Sequence, residues 1–366
     1  MHGEQAGKLG DLEKKCRTLL IVAAAQLALG ALFCAPARAF YDDEPETRSF
    51  LIRTRVRYWF ASSTAQTRAY FVTPSDWWDP AGDNIKLGKT DTFKGMNSAL
   101  PLFSAEVQPF SGFSGEFEAG DNRFGGGQFQ EHTWLHAPGQ VLYLLNGVDW
   151  YNPHHQDYSL SAARTKGTAR QYSANVYLRI YKSRKVHRED DFELQHNTDL
   201  MAGYSWYENT LRLSRGYNVL STDFFLPTPP AGPFPGLDSG TSMIWYGWHA
   251  GFREQARISD CLSAEGRAAL GPGLRFARKS YWNLDTALAN PGVVDKARGT
   301  LLDLSVSASW KFWRQFELDG GYQMWMYSAS SGTRTYYYAD GTRQYWTVDL
   351  VKTALKGMFL SLSWKY

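Results

Sequence analysis

From residue 50 onward the chain keeps returning to one pattern, apolar and polar residues in alternation, which is the period of a strand with one apolar and one polar face. In the final stretch Ala354, Met358, Leu360, Leu362, Trp364 and Tyr366 share one parity, and Gly357, Ser361, Ser363 and Lys365 share the other. A first strand is predicted from Phe50 to about Tyr70, with Phe50, Ile52, Val56, Tyr58 and Phe60 opposite Arg53, Arg55 and Arg57. A hairpin over Asn97–Val107 and Phe113–Asn122 sets Phe113, Phe117 and Ala119 against Glu116 and Glu118. In Gln171–Tyr181 the residues Tyr172, Ala174, Val176, Leu178 and Ile180 oppose Gln171, Ser173, Asn175 and Arg179. Further strands are predicted from Leu200 to about Gly216, around Ile244–Arg253, over Leu262–Ala277, around Leu302–Trp310 and from Phe316 to Met326. With the closing strand this makes about ten.

Arginine or lysine at the midplane of the lipid face of a barrel costs roughly 2–4 kcal/mol, so Arg53, Arg55 and Arg57 are expected to point into a lumen. The fold expected is all-β: a transmembrane antiparallel up-and-down barrel of about ten strands. Connections after odd strands (near 72–96, 124–168, 217–240, 280–297 and 328–349) read as long, and those after even strands as short turns, near 108–112, 182–191 and 313–315.

The 366 residues are 20% charged with a mean hydropathy of -0.41, too polar for a bundle of membrane-spanning helices. Lys14, Lys15 and Arg17, an apolar run from Leu19 to Phe33, and Ala37-Arg38-Ala39 have the three regions of a secretory signal peptide, with cleavage expected before Phe40. The domains expected are therefore a signal peptide over residues 1–39 and a barrel over 40–366 with five long extracellular loops. Five basic and three acidic residues leave with the signal, so the net charge falls from +3 to about +1 and no nucleic-acid partner is expected. Cys16 and Cys34 leave with it too, and Cys261 is expected to form no internal disulfide. The stretch Ala354–Tyr366 resembles the C-terminal assembly signal of bacterial outer-membrane barrels. That resemblance implies a Gram-negative outer-membrane location at the cell surface, with membrane lipid, lipopolysaccharide and the barrel-assembly machinery as partners.

The inward parities collect charge. Arg53, Arg55, Arg57, Arg179, Arg253, Arg267 and Arg275 are expected to face Glu116, Glu118, Glu265, Glu317 and Asp319 in a bore that such side chains would fill, with Arg55 beside Glu116 or Glu118. His132 and His136, with Glu131, His154 or His155, could share a metal ion, and Asp76, Asp79 and Asp83 could take calcium; solvated loop residues are the simpler reading, and no metal or cofactor is expected. Tyr336–Tyr338 and Trp346 read as a rim aromatic cluster. No phosphate loop, nucleophile elbow or dinucleotide fingerprint occurs.

Ten strands, five long loops, Asp149-Trp150 in the second of them and Leu200-Met201-Ala202-Gly203-Tyr204 opening a strand together resemble the omptin family of outer-membrane proteases. The resemblance implies catalysis in the barrel mouth by an Asp-x-Asp pair in the second loop and an Asp-x-His pair in the fourth. Here Gly147 stands two residues before Asp149, the fourth loop offers Asp285 followed by Thr286 and Ala287, and no histidine occurs after residue 250. A water-activating base is missing from the pattern. The reading is a non-proteolytic omptin-like barrel acting through its extracellular loops in binding or structure. The alternatives are an endopeptidase with a rearranged site around Asp149 and Asp285, and a small diffusion pore.

Overall fold

A computed structural model describes residues 50–73, 85–136, 156–187, 192–221 and 230–366. They form ten strands: β1 (Leu51–Thr73), β2 (Ile85–Phe110), β3 (Phe113–His136), β4 (Gln156–His187), β5 (Phe192–Ser221), β6 (Gly232–Arg257), β7 (Leu262–Tyr281), β8 (Leu288–Trp313), β9 (Phe316–Tyr338) and β10 (Arg343–Lys365). Each strand pairs antiparallel with its sequence neighbours, and β1 pairs with β10 from Arg53↔Lys365 to Tyr70↔Thr347, so the sheet closes on itself. Closure leaves no edge strand unpaired. The signal peptide expected over residues 1–39 lies outside the described residues, as do Asp76, Asp79, Asp83, Asp149, His154 and His155.

The strands are longer than their alternation indicated, running from 20 residues in β7 to 32 in β4. Much of what reads as loop is paired strand: 85–96, 123–136, 156–170, 232–240, 288–297 and most of 328–349. The β9–β10 connection is residues 339–342 alone. The physical reason is in the exterior. Where the outer face is apolar, alternation is enforced; farther along, the hydrogen-bond ladder continues while the outer face turns polar and the inner face mixes apolar residues such as Phe93, Phe129 and Val293 with charged ones such as Asp91 and Asp295, so the period-two signal fades while the strand does not. The short turns hold better: β2 and β3 meet at Ser111-Gly112, with Gly112 at a φ of 90° that favours glycine, and β8 and β9 meet at Arg314-Gln315.

At the end carrying Leu51 and Lys365, the lower end, large apolar side chains are exposed on the outside in a continuous belt. It includes Val56, Phe60, Phe103, Phe117, Val176, Leu178, Ile180, Phe252, Leu270, Leu360 and Leu362. Tyr58, Tyr172, Tyr204, Trp248, Trp313 and Trp364 are exposed with it. Above it the outward residues turn polar, as with Arg68 paired to Asp349 and Arg170 paired to Asp121. Among the described residues no helix is long and apolar enough to cross a membrane, which bears on helices alone. Cys261 is disulfide-bonded in the whole chain, which carries Cys16 and Cys34; the expectation of no internal disulfide concerned the chain after loss of residues 1–39.

The core is the lumen, filled in layers. Its lower layer is charged and its middle layer is aromatic. In the middle, Trp59 meets Trp325 at 5.8 Å between ring centroids, and Trp245 lies 4.8 Å from Phe276 and 5.2 Å from Tyr327. Trp59, Trp245 and Trp325 are all fully buried. A ten-stranded barrel has a bore narrow enough for side chains of this size to fill.

Candidate functional site

The lower layer holds the charges expected there. Arg53 donates to Glu317 at 3.1 Å and to Asp319 at 3.4 Å, and Arg57 donates to Glu118 at 3.3 Å and to Gln323 at 3.0 Å. Glu116 accepts from the Tyr177 hydroxyl at 2.6 Å and lies 4.0 Å from Arg267, whose other guanidinium nitrogen is 3.2 Å from Asp303. Arg179 and Arg253 converge on Asp199 at 2.7 and 2.9 Å, Arg253 also donates to Glu106 at 2.7 Å, and Glu265 accepts from Gln255 at 3.0 Å. Arg55 departs from expectation. Its partner is Asp319 at 3.6 Å, with Ser363 at 3.3 Å, and not Glu116 or Glu118, because closure pairs Arg55 with Ser363 of β10 and so turns it toward β9.

Arg275 is a second correction, since it is exposed on the outside. Pro272 and Gly273 form a bulge at which the register of β7 against β8 shifts, and Gly273 adopts a φ of 72° that favours glycine. One extra residue inverts every later parity. Leu274, Phe276, Arg278 and Ser280 consequently turn inward, and Arg278 enters the upper lumen.

There it completes a four-residue ion cluster at the level where the barrel opens. Arg278 Nη1 donates to Asp91 Oδ2 and lies 3.6 Å from Asp295; Arg334 donates to Asp91 at 3.0 Å and to Asp295 at 2.7 and 3.0 Å. The Arg278 Nε also donates to Ser280 at 2.9 Å. All four side chains are at most 2% exposed. Burial alone would push the Asp91 carboxyl up, but Arg278 and Arg334 outweigh it and hold the group at about 2. Burial alone would likewise lower the Arg334 guanidinium; Asp295, then Tyr336 and Asp91, outweigh it and hold it well above its ordinary value.

Three of its members, Asp91, Arg278 and Arg334, line the floor of a cavity of about 570 Å³ in the upper mouth. Phe129, Phe234, Leu237, Trp282, Leu288 and Tyr336 contribute its apolar wall, and Phe129 and Trp282 face each other at 5.8 Å between centroids. Lys89 and Glu131 also line it, paired at 3.0 Å. Asp285 is at the rim, where its carboxylate accepts from the Ala287 amide at 3.2 Å, a local turn cap. Tyr336 packs on Trp346 at 5.0 Å, so part of the expected rim aromatic cluster is a wall of this cavity.

No histidine is among the residues lining the cavity. His132 lies on β3 next to Glu131 and pairs with Asp157 at 2.7 Å, outside the cavity, and His249 is bonded to Asn175 at 2.9 Å within the lumen. Among the described residues no group of three or more metal-ligating side chains gathers.

Sequence reading missed Asp91, Arg278, Asp295 and Arg334. Asp91, Asp295 and Arg334 fell in stretches read as loop, and Arg278 lay beyond a bulge. Pro272-Gly273 was the available signal, since that dipeptide inside a strand marks a shift of parity.

No protein-family model matches the sequence, and no curated relative matches it. Among solved structures, the outer membrane protease OmpT from Escherichia coli superposes with a TM-score of 0.61 at 14% identity, over 88% of this chain and 99% of that one. The translocator domain of the autotransporter NalP from Neisseria meningitidis gives 0.30 at 7% identity, over 99% of this chain and 98% of that one. The transport unit of the autotransporter AIDA-I from Escherichia coli gives 0.27 at 8% identity, over 92% and 97%. The last two likenesses are too loose to bear on strand number or site. At 14% identity the first is a likeness of fold, and in fold the chain is an omptin-like ten-stranded antiparallel β-barrel.

Proposed function

We infer that this chain is an outer-membrane barrel whose lumen does not conduct and whose mouth is a blind cup that binds a small ligand. Its apolar belt, aromatic flanks and alternating strands are those of a barrel set in a bilayer by its lower half. The location rests on that belt together with the fold likeness. Lipid and lipopolysaccharide around the belt, and assembly through Ala354–Tyr366, belong to the same reading.

The observation that carries the binding function is the floor. Asp91, Arg278 and Arg334 line the cavity from below, and with Asp295 behind them every guanidinium faces a carboxylate. Lys89 is matched by Glu131, and Asp285 is spent on its own turn. The described lining thus leaves no cation unmatched, while its walls are largely aromatic and aliphatic. A cavity of about 570 Å³ with those walls suits an uncharged, apolar or aromatic molecule of ordinary ligand size.

The second reading, peptide hydrolysis, is favoured by the fold likeness to a protease and opposed by the chemistry present. Asp149 lies outside the described residues, and no histidine lines the cavity among those described.

Full-length protein refolded in detergent with lipopolysaccharide separates the two. A panel of neutral aromatic and aliphatic compounds is expected to quench tryptophan emission saturably, and Trp282→Leu is expected to remove most of that signal. A peptide library with basic and apolar cleavage contexts is expected to remain intact. Turnover abolished by Asp149→Ala would replace the binding reading with the hydrolytic one.

A further inference from the structure

The wall of the barrel is parted along one seam. β2 and β3 pair from Lys86↔His136 to Lys94↔Gln128, the pairing then breaks off, and it resumes at Leu102↔Gly120. Residues 95–101 and 121–127 face each other without a ladder, the longest break in any seam of the barrel. Each strand stays bound on its other side, β2 to β1 from Met96↔Ser63 to Pro101↔Tyr58 and β3 to β4 from Asp121↔Arg170 to Phe124↔Gly167. The register below the break is the register above it, so the two strands are parted and not slipped.

The residues account for the parting. Lys94 and Gly95 are both exposed, as are Gly125 and Gly126, which puts one extra residue into each strand between the same two anchor pairs. Gly95 has a φ of 67°, which favours glycine. Pro101 has no N–H to offer a ladder. The Asn122 side-chain amide donates to the Ala99 carbonyl at 2.7 Å, so a rotatable side chain bridges the gap where backbone bonds would stand. A Cβ placed on Gly125 or Gly126 would touch nothing within 4 Å, so the upper part of the break opens on free space.

The break joins two places. Its upper anchor adjoins Phe93↔Phe129, whose rings meet at 4.9 Å between centroids, and Phe129 is a wall of the mouth cavity. Its lower end reaches the upper edge of the apolar belt, since Ala99 pairs with Phe60 and Pro101 stands two residues from Phe103. A hollow of about 340 Å³ lies there on the outer wall, bounded by Phe60, Asn97 and Ala99. Behind the break Met96, Leu100 and Phe124 are buried, an apolar lining that runs from the belt to the cavity. Methionine, with three rotatable bonds, is a side chain that yields readily. Unladdered backbone at membrane level is tolerated where it lines a cavity or passage, and this sequence builds the gap in with a proline and a run of glycines.

A neutral apolar molecule of the kind that suits the mouth cavity concentrates in the bilayer, because water excludes its surface. We propose that the β2–β3 seam is a lateral portal by which such a molecule passes between the bilayer leaflet on the mouth side and the mouth cavity. The portal opens when the Asn122–Ala99 bond is given up and Met96 and Phe124 turn aside, with the ladders above and below and the pairings to β1 and β4 intact. This rests on the reading of the mouth as an apolar cup, and it adds the route by which the cup fills.

The test follows rates, because a portal changes how fast a site fills and empties and not how tightly it holds. Full-length protein is refolded into phosphatidylcholine vesicles, and N-phenyl-1-naphthylamine is supplied from the membrane. The part of the tryptophan quenching that Trp282→Leu removes reports occupancy of the cup. Continuing the register across the break sets Ala99 opposite Arg123, both exposed, so Ala99→Cys with Arg123→Cys can be oxidised to a staple across it. The staple is expected to slow filling and emptying equally, at least tenfold, to leave the dissociation constant unchanged, and to be reversed by reduction. A staple across the intact β1–β2 seam, Gln66→Cys with Thr92→Cys, taken through the same oxidation and reduction, is expected to alter neither rate. Asn122→Ala, which needs no oxidation, is expected to quicken both several-fold. Wild-type rates in the stapled protein would mean that the probe enters through the open mouth; they overturn the portal and leave the cup standing. Rates unchanged by Asn122→Ala overturn it too if the staple does not form. Absence of any Trp282-dependent signal at equilibrium overturns the cup, and the portal with it.

Discussion

Asp91 is the residue on which the upper lumen turns, because it takes one guanidinium from β7 and another from β9. Removing one partner of a buried ion pair leaves a charge uncompensated, at a cost of about 3–5 kcal/mol. Asp91→Ala is therefore expected to lower unfolding stability in detergent by about 3 kcal/mol, the lower bound applying because Asp295 remains. The pair Asp91→Leu with Arg278→Met should lose less than Asp91→Leu alone, since no orphan charge is left. A larger loss in the double variant would contradict the account. The same residue sets a pH dependence. Its carboxyl is held at about 2 against an ordinary 3.8, so the folded chain binds this proton more weakly than the unfolded chain does. The resulting stabilisation is complete above about pH 4 and is lost as pH falls toward about 2. The stability gap between the wild type and Asp91→Asn should accordingly shrink between pH 5 and pH 2; a constant gap over that range would rule Asp91 out as its source.

Among the strands, β7 shows how one backbone irregularity assigns side chains to compartments. Up to Leu270 its parity is the one its alternation indicates, and past Pro272-Gly273 it is the reverse. Gly273→Ala places a Cβ in a left-handed conformation and is expected to cost roughly 1 kcal/mol. Deleting Gly273 is a harsher change, because it sends Arg278 outward and Arg275 inward and leaves Asp91 and Asp295 with Arg334 alone. That variant is expected to show no heat-modifiable folded band on a gel, whereas Gly273→Ala should retain one. Equal folding of the two would mean that the bulge does not set the mouth. The belt half of each strand was legible because an apolar outer face imposes alternation residue by residue. The upper halves were not, since their outer face is polar while their inner face mixes apolar and charged residues, so neither parity keeps one character.

At the scale of the barrel, a filled lumen predicts no steady ion conductance in planar bilayers. Stepwise openings by the wild type would mean that the aromatic layer of Trp59, Trp245 and Trp325 moves aside. Orientation is a separate expectation. The β9–β10 turn at the upper end should carry a cysteine at Asp340 that reacts with an impermeant reagent on intact cells, and a cysteine at Arg314 at the lower end should not react. The reverse result would turn the barrel over, placing the mouth cavity on the inner side of the membrane.

Local chemistry was enough to determine that this chain is a barrel, and which residues of its lower half face inward. Arg53, Arg57, Glu116, Glu118, Glu317 and Asp319 could be assigned to a side one residue at a time, because each sits next to apolar neighbours of opposite parity. Partners were another matter: Arg55 meets Asp319 only because closure sets β1 beside β10. The mouth lay further still from the sequence. Arg278 and Arg334 reach Asp91 across 187 and 243 residues of chain, from strands that approach only through a curved, closed sheet whose register is shifted by bulges. Period and parity are properties of a strand, whereas a site assembled from β2, β7, β8 and β9 is a property of the closed barrel, and only the tertiary structure could decide it.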